Sequence, residues 1–151
     1  IADSGSYFEN GNVGVGYTPG ETIPELFSVK GPANVSGSIT LENTVLKSVT
    51  KDVNGTDWVA LDNFNFFNFR TVKYLVEIKD ETTDEYLSEE ILLLHDGSEA
   101  FLNEYGILYT GEANFTTFKA EMDSFNNIIT LYCKCTNANN VAKLTRTMMT
   151  A

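Results

Sequence analysis

A chain of 151 residues has the length of one ordinary domain. It buries about 68–70% of its unfolded surface and needs no metal or disulfide staple. Ten Phe and seven Tyr supply core material, and 21 Asp plus Glu against 10 Lys plus Arg give a net charge of −11. That charge repels phosphate backbones and anionic lipid, which argues against nucleic-acid and membrane partners. No apolar run approaches the about 18 residues of a membrane span.

Residues 1–35 differ in texture from the rest. They hold all three prolines (Pro19, Pro24, Pro32) and more than half of the glycines. The run Gly11-Asn12-Val13-Gly14-Val15-Gly16 has neither a strand's side-chain density nor a helix's period. The reading is an extended arm, up to about 115 Å long if fully stretched. Tyr7, Phe8, Tyr17, Leu26 and Phe27 are the candidate contacts by which it binds a neighbouring subunit. The alternative is a loop folded back on its own domain.

Residues 36–151 read as β structure. Ser36 to Asn43 suggests a short strand with Ile39 and Leu41 inward, and Val45 to Lys51 alternates again. Asn54-Gly55 is a strong two-residue hairpin signal, which predicts a return along Trp58 to Leu61. Phe64, Phe66, Phe67 and Phe69 then slip phase. Either a bulge near Asn65 to Asn68 or a strand buried on both faces accounts for that. These aromatics favour core packing over a sugar-stacking platform, since the intervening residues are Asn.

The organising stretch is Phe69 to Asp80. Val72, Tyr74, Val76 and Ile78 occupy alternate positions, with Thr71, Lys73, Glu77 and Lys79 between them and Leu75 as the one apolar intruder. A period of two is a strand with one wet face. After the polar turn at 81–84, Glu85 to Leu94 returns and closes on His95-Asp96-Gly97, completing a central hairpin. Glu89, Glu90, Leu92 and Leu93 are good helix formers, but pairing with the central strand overrides that propensity. Glu99 to Thr110, Phe115 to Met122, Ile128 to Cys135 and Val141 to Met149 supply the remaining strands. Turn-rich spacing of this kind predicts an all-β antiparallel sandwich or flattened barrel of about eight to ten strands.

Chemistry is sparse. His95 is the sole histidine, beside a turn, and reads as a hydrogen-bonder at the core edge. No nucleophile elbow, P-loop or dinucleotide fingerprint is present in the required context. Asp80, Glu81, Asp84 and Glu85 lack a calcium-loop pattern and read as a solvated turn. Cys133 and Cys135 fall on one strand face, about 6.5–7 Å apart along it, so a mutual disulfide is not expected. A Cys-x-Cys metal half-site has no histidine partner but His95, so the pair reads as reduced core thiols. Three Asn-x-Ser/Thr sequons, at Asn34, Asn54 and Asn114, matter only in a chain secreted by a eukaryote. No cofactor, metal or catalytic group is expected.

The segments FRTVKYLVEIKD, SEEILLLHDG and NEYGILYTGE, followed by the strands from Phe118 to Met149, carry a resemblance. Arg70 to Val76, Ile91 to Gly97 and Asn103 to Gly106, with a looser match over Val141 to Thr147, resemble a β domain of tailed-bacteriophage virion proteins. The resemblance implies a structural role as a capsid decoration, neck, tail or fibre component, located in the virion and assembled in the host cytoplasm. It implies binding to other virion proteins and to copies of itself, a trimer among the options, without catalysis. The alternative function is a carbohydrate-binding β-sandwich in a phage adhesin. Exposed coplanar aromatics mark the alternative, whereas a structural subunit buries Trp58 and the Phe cluster.

Overall fold

The computed structural model describes residues 5–9, 12–17, 27–29, 35–54 and 56–150, the first three segments as backbone alone. The chain divides into two compact units, Ile1–Ser36 and Gly37–Ala151. In the first, β1 (Gly5–Glu9) pairs antiparallel with β2 (Asn12–Tyr17), and β2 pairs parallel with β3 (Phe27–Val29). The glycine-bearing stretch 12–17, which offers little side-chain signal, is therefore a paired strand. Backbone hydrogen bonds define a strand whether or not side chains alternate along it.

The second unit is an all-β sandwich; the described residues contain no helix. Its strands are β4 (Ser38–Leu41), β5 (Thr44–Val53), β6 (Val59–Asn65), β7 (Phe69–Asp80), β8 (Glu85–His95), β9 (Ala100–Tyr109), β10 (Thr116–Asp123), β11 (Ile128–Cys135) and β12 (Asn140–Thr150). Six form one sheet in the order β4-β5-β12-β7-β8-β9, every neighbour antiparallel. Three form the other, in the order β10-β11-β6. The sheets do not close into a barrel.

The expected central hairpin is present as β7 and β8, in register from Thr71↔Leu94 to Asp80↔Glu85. Val72, Tyr74, Val76 and Ile78 are fully buried, facing Leu131, Ile129 and Phe118 of the smaller sheet across a common core. Burying each such side chain contributes about 1.5–3 kcal/mol, so this one face of β7 is a major source of stability. Strand pairing does override the helix propensity of 85–95, because alternate residues Leu87, Ile91 and Leu93 enter the same core.

Three local expectations are corrected. Asn54-Gly55 does not lead into a hairpin: β5 pairs with β4 and β12, while β6 pairs with β11. The chain crosses between sheets there because β12 occupies the edge of β5 that a returning strand would take, and Trp58 precedes β6. The phase slip in the Phe cluster is neither a bulge nor a doubly buried strand. Phe66, Phe67 and Asn68 form the turn between β6 and β7, in which the Phe67 N–H donates to Asn65 Oδ1 at 2.8 Å. Phe66 points into the core and Phe67 stays exposed. Finally, Ile39 and Leu41 do not face inward. β4 is a short edge strand whose register, Ile39↔Leu46 and Leu41↔Thr44, turns them to the outer face of the sheet.

Candidate interaction surface

The inner face of the sandwich spends its polar groups on itself. Arg146 of β12 pairs with Asp62 of β6, and its Nη1 donates to the Asn63 carbonyl at 2.9 Å. The Tyr74 hydroxyl donates to the same Asp62 carboxylate at 3.2 Å, and burial raises the phenol far above its ordinary value. His95 is buried with Nε2 2.8 Å from the Phe69 carbonyl, a core-edge hydrogen bond. Burial alone would raise the Asp80 carboxyl, but hydrogen bonds from Asn137 and the Thr82 and Thr83 amides outweigh it and hold the group below its ordinary value. Asp80 is thus the cap of a turn, and no cluster of three metal-ligating side chains occurs among the described residues.

Two buried groups stand apart. Glu89 on β8 is buried with both carboxylate oxygens unpartnered. Burial, then the charge of nearby Glu104, pushes it up to about 7. Cys133 and Cys135 are free, buried on one face of β11, with their sulfurs 3.9 Å apart. The hydrogen bond to Cys135 and burial raise the Cys133 thiol.

The outer face of the six-stranded sheet is different. Strand register runs four rungs across it, with an irregularity in β9 between the third and the fourth. The first rung is Leu41–Thr44–Met149–Thr71–Leu94–Phe101. The second is Ile39–Leu46–Thr147–Lys73–Leu92–Asn103. The third is Ser48–Thr145–Leu75–Glu90–Tyr105, and the fourth Thr50–Lys143–Glu77–Ser88–Leu108. Every Leu, Ile, Met, Phe and Tyr on these rungs is an exposed large hydrophobic, from Tyr105 at 36% to Leu108 at 72%. An apolar patch of this extent on one face makes it the candidate contact surface.

The charged members of the face pair within it. Lys73 Nζ lies 2.8 Å from Glu90 and Lys143 Nζ lies 3.7 Å from Glu77. The Glu90 hydrogen bond raises Lys73, and Lys73 in turn lowers Glu90. Beside the apolar rungs, Ser48, Leu75, Glu77, Ser88, Lys143 and Thr145 line a shallow hollow of about 320 Å³. Small side chains on β5, β12 and β8 make it.

Trp58 is 38% exposed, with the Lys119 ammonium 4.5 Å from its ring centre and 5.2 Å from that of Tyr132. One face of the indole is therefore occupied by a cation. Phe64 and Phe66 are buried, whereas Phe67 and Phe125 project from adjacent turns. Those turns are joined by the Phe66 N–H donating to the Asn127 carbonyl at 3.2 Å.

The contact candidates read from the arm lie in the first unit. Tyr7 and Phe8 fall in β1, Tyr17 in β2 and Phe27 in β3, whereas Leu26 lies outside the described residues. The outer face of the six-stranded sheet was not among the candidates. Its signal was present in Leu75, out of phase on β7, and in the run Ile91-Leu92-Leu93-Leu94, too apolar for a strand with one wet side.

No protein-family model matches the chain, and no curated protein matches it. Among solved structures, it is similar to the tailspike protein gp49 of Acinetobacter baumannii bacteriophage Fri1, a capsular polysaccharide depolymerase. That match has a TM-score of 0.48 and 10% identity over 83% of this chain. It is also similar to the tailspike protein of Acinetobacter phage vB_ApiP_P1, with a TM-score of 0.45 and 11% identity over 89% of this chain. The chain spans 23% and 26% of the lengths of those two proteins.

Proposed function

We propose that this chain is a structural module of a tailed-phage virion and acts by binding other subunits, with no catalysis of its own. The observation that carries the reading is the outer face of the six-stranded sheet, where large apolar side chains from all six strands stand exposed. Leaving them in water forgoes about 25 cal/mol for every Å² of apolar surface, a cost that a binding surface recovers on assembly. The motif resemblance of Arg70 to Val76 and Ile91 to Gly97 supports the virion setting. The engagement of Asp62, Arg146 and Tyr74 with one another supports the non-catalytic part. Mass spectrometry of purified particles tests the reading. Recovery of the chain at a fixed stoichiometry is expected, and its absence from particles overturns the proposal.

A carbohydrate-binding reading draws on the partly exposed Trp58 beside Tyr132. Lys119 over the indole weakens it, because a sugar must displace that ammonium to stack. A glycan array read out by tryptophan fluorescence separates the two. Saturable quenching that is lost in Trp58→Ala establishes the second reading, and a flat titration removes it.

A further inference from the structure

We propose that the outer face of the six-stranded sheet binds the same face of a second copy of this chain, making a two-fold, sheet-on-sheet dimer. The inference rests on the subunit-binding reading above and names the partner.

Charge selects the occupant. The chain carries −11 overall, so two copies repel each other over most of their surfaces. The four rungs are the exception: Lys73 and Lys143 balance Glu77 and Glu90, and each is paired within the face. A second copy therefore approaches this face without like-charge cost. A basic partner finds no net negative charge to hold there, and an anionic lipid surface is repelled by the rest of the chain.

Area agrees. Strands about 4.8 Å apart and rungs about 6.8 Å apart, six strands wide on two rungs and five on the other two, give a face on the order of 720 Å². A standard stable interface takes about 800 Å² from each partner. A two-fold axis across the strands, between the second and third rungs, lays each strand over its own counterpart, so that Leu92, Leu94 and Phe101 of one copy meet the Tyr105 and Leu108 end of the other. The same patch then serves both copies, as a two-fold interface requires. Aligned sheets stack about 10 Å apart, which leaves room for interdigitating Leu and Phe side chains.

The test is the mass of the full chain by size-exclusion chromatography with light scattering. The expected mass is twice the 16.7 kDa of one chain. The Leu92→Lys/Leu94→Lys variant is expected at the single-chain mass with an unchanged far-ultraviolet circular dichroism spectrum, since both side chains point outward. Leu108→Lys, at the rim, is expected to weaken the dimer about tenfold or more. Phe125→Ser, at a turn outside the face, is expected to leave the dimer intact. A wild-type monomer at 100 µM or a trimer overturns the inference, and so does unchanged dimerisation in the folded double variant and in Leu108→Lys. A chain that is monomeric alone yet recovered from particles refutes the dimer while leaving the virion reading in place.

Discussion

Arg146 on β12 and Asp62 on β6 meet between the two sheets with side chains only 8% and 5% exposed. The pair is the main charged tie across the sandwich, and Tyr74 of β7 donates to the same carboxylate. Three strands from two sheets thus converge on one acid. Its energetic role follows from what is left when one partner goes. A buried guanidinium without its carboxylate costs about 3–5 kcal/mol, because it is desolvated and unpaired.

Asp62→Ala is therefore expected to lower the unfolding free energy by about 3–5 kcal/mol. The double variant Asp62→Leu/Arg146→Met removes both charges and is expected to recover most of that loss. Urea unfolding followed by circular dichroism measures both. A double variant no more stable than Asp62→Ala shows that the pair's specific geometry matters more than its desolvation.

Glu89 gives the fold a pH dependence of definite sign. Its folded-state value of about 7 lies above the ordinary 4.5. The folded state therefore holds a proton that the unfolded state has released. Stability is fully present below pH 4.5 and is lost as pH rises towards 7, by on the order of 3 kcal/mol. Glu89→Gln is expected to flatten urea midpoints between pH 5 and 8. If the wild type shows the same midpoints as Glu89→Gln across that range, the buried acid does not titrate there.

Cys133 and Cys135 are both buried and free. A thiol reagent is expected to label neither in the native chain at a rate faster than unfolding, and to label both in denaturant. Burial excludes the reagent from both side chains, and the raised Cys133 thiol holds little of the thiolate that would react. Rapid native labelling of either residue means that β11 is accessible in the folded protein.

Among the described residues, the buried core of the second unit runs from Val53 to Met148, with Val45 and Val49 packed against it. A chain starting at Gly37 is expected to keep the far-ultraviolet spectrum of β4 to β12 and to unfold cooperatively. Loss of cooperative unfolding shows that residues 1–36 stabilise the sandwich.

Strand identity was plain in the sequence wherever one face is buried. Val72, Tyr74, Val76 and Ile78 announce β7 because alternation is a direct record of a half-wet sheet. Partnership was not. Asn54-Gly55 reports local turn preference, whereas the pairing of β5 with β12 is set by residues some ninety positions away. The outer face was hidden for a related reason. Exposed Leu92 and Leu94 spoil the alternation of β8, so the run reads as core, and only the register across six strands gathers such intruders into one surface. Glu89 ran against its signal altogether: a charged residue in a strand reads as solvent-facing, and its burial follows only from the parity of its neighbours Leu87 and Ile91.

The placing of β12 has a consequence for the order of events during synthesis. It is the last described strand to be made, yet it lies between β5 and β7 near the middle of the large sheet. Until residues 140–150 have emerged, β4 and β5 form a hairpin with no neighbour, and one edge of β7 has no partner. Val45 and Val49 of the hairpin then lack the strand they pack beside. The sheet is complete only once that segment has paired with β5 on one edge and β7 on the other. Closing so long a loop is slow compared with hairpin formation. A chain made only as far as residue 139 has two open strand edges and a divided core, the state in which aggregation competes best with folding.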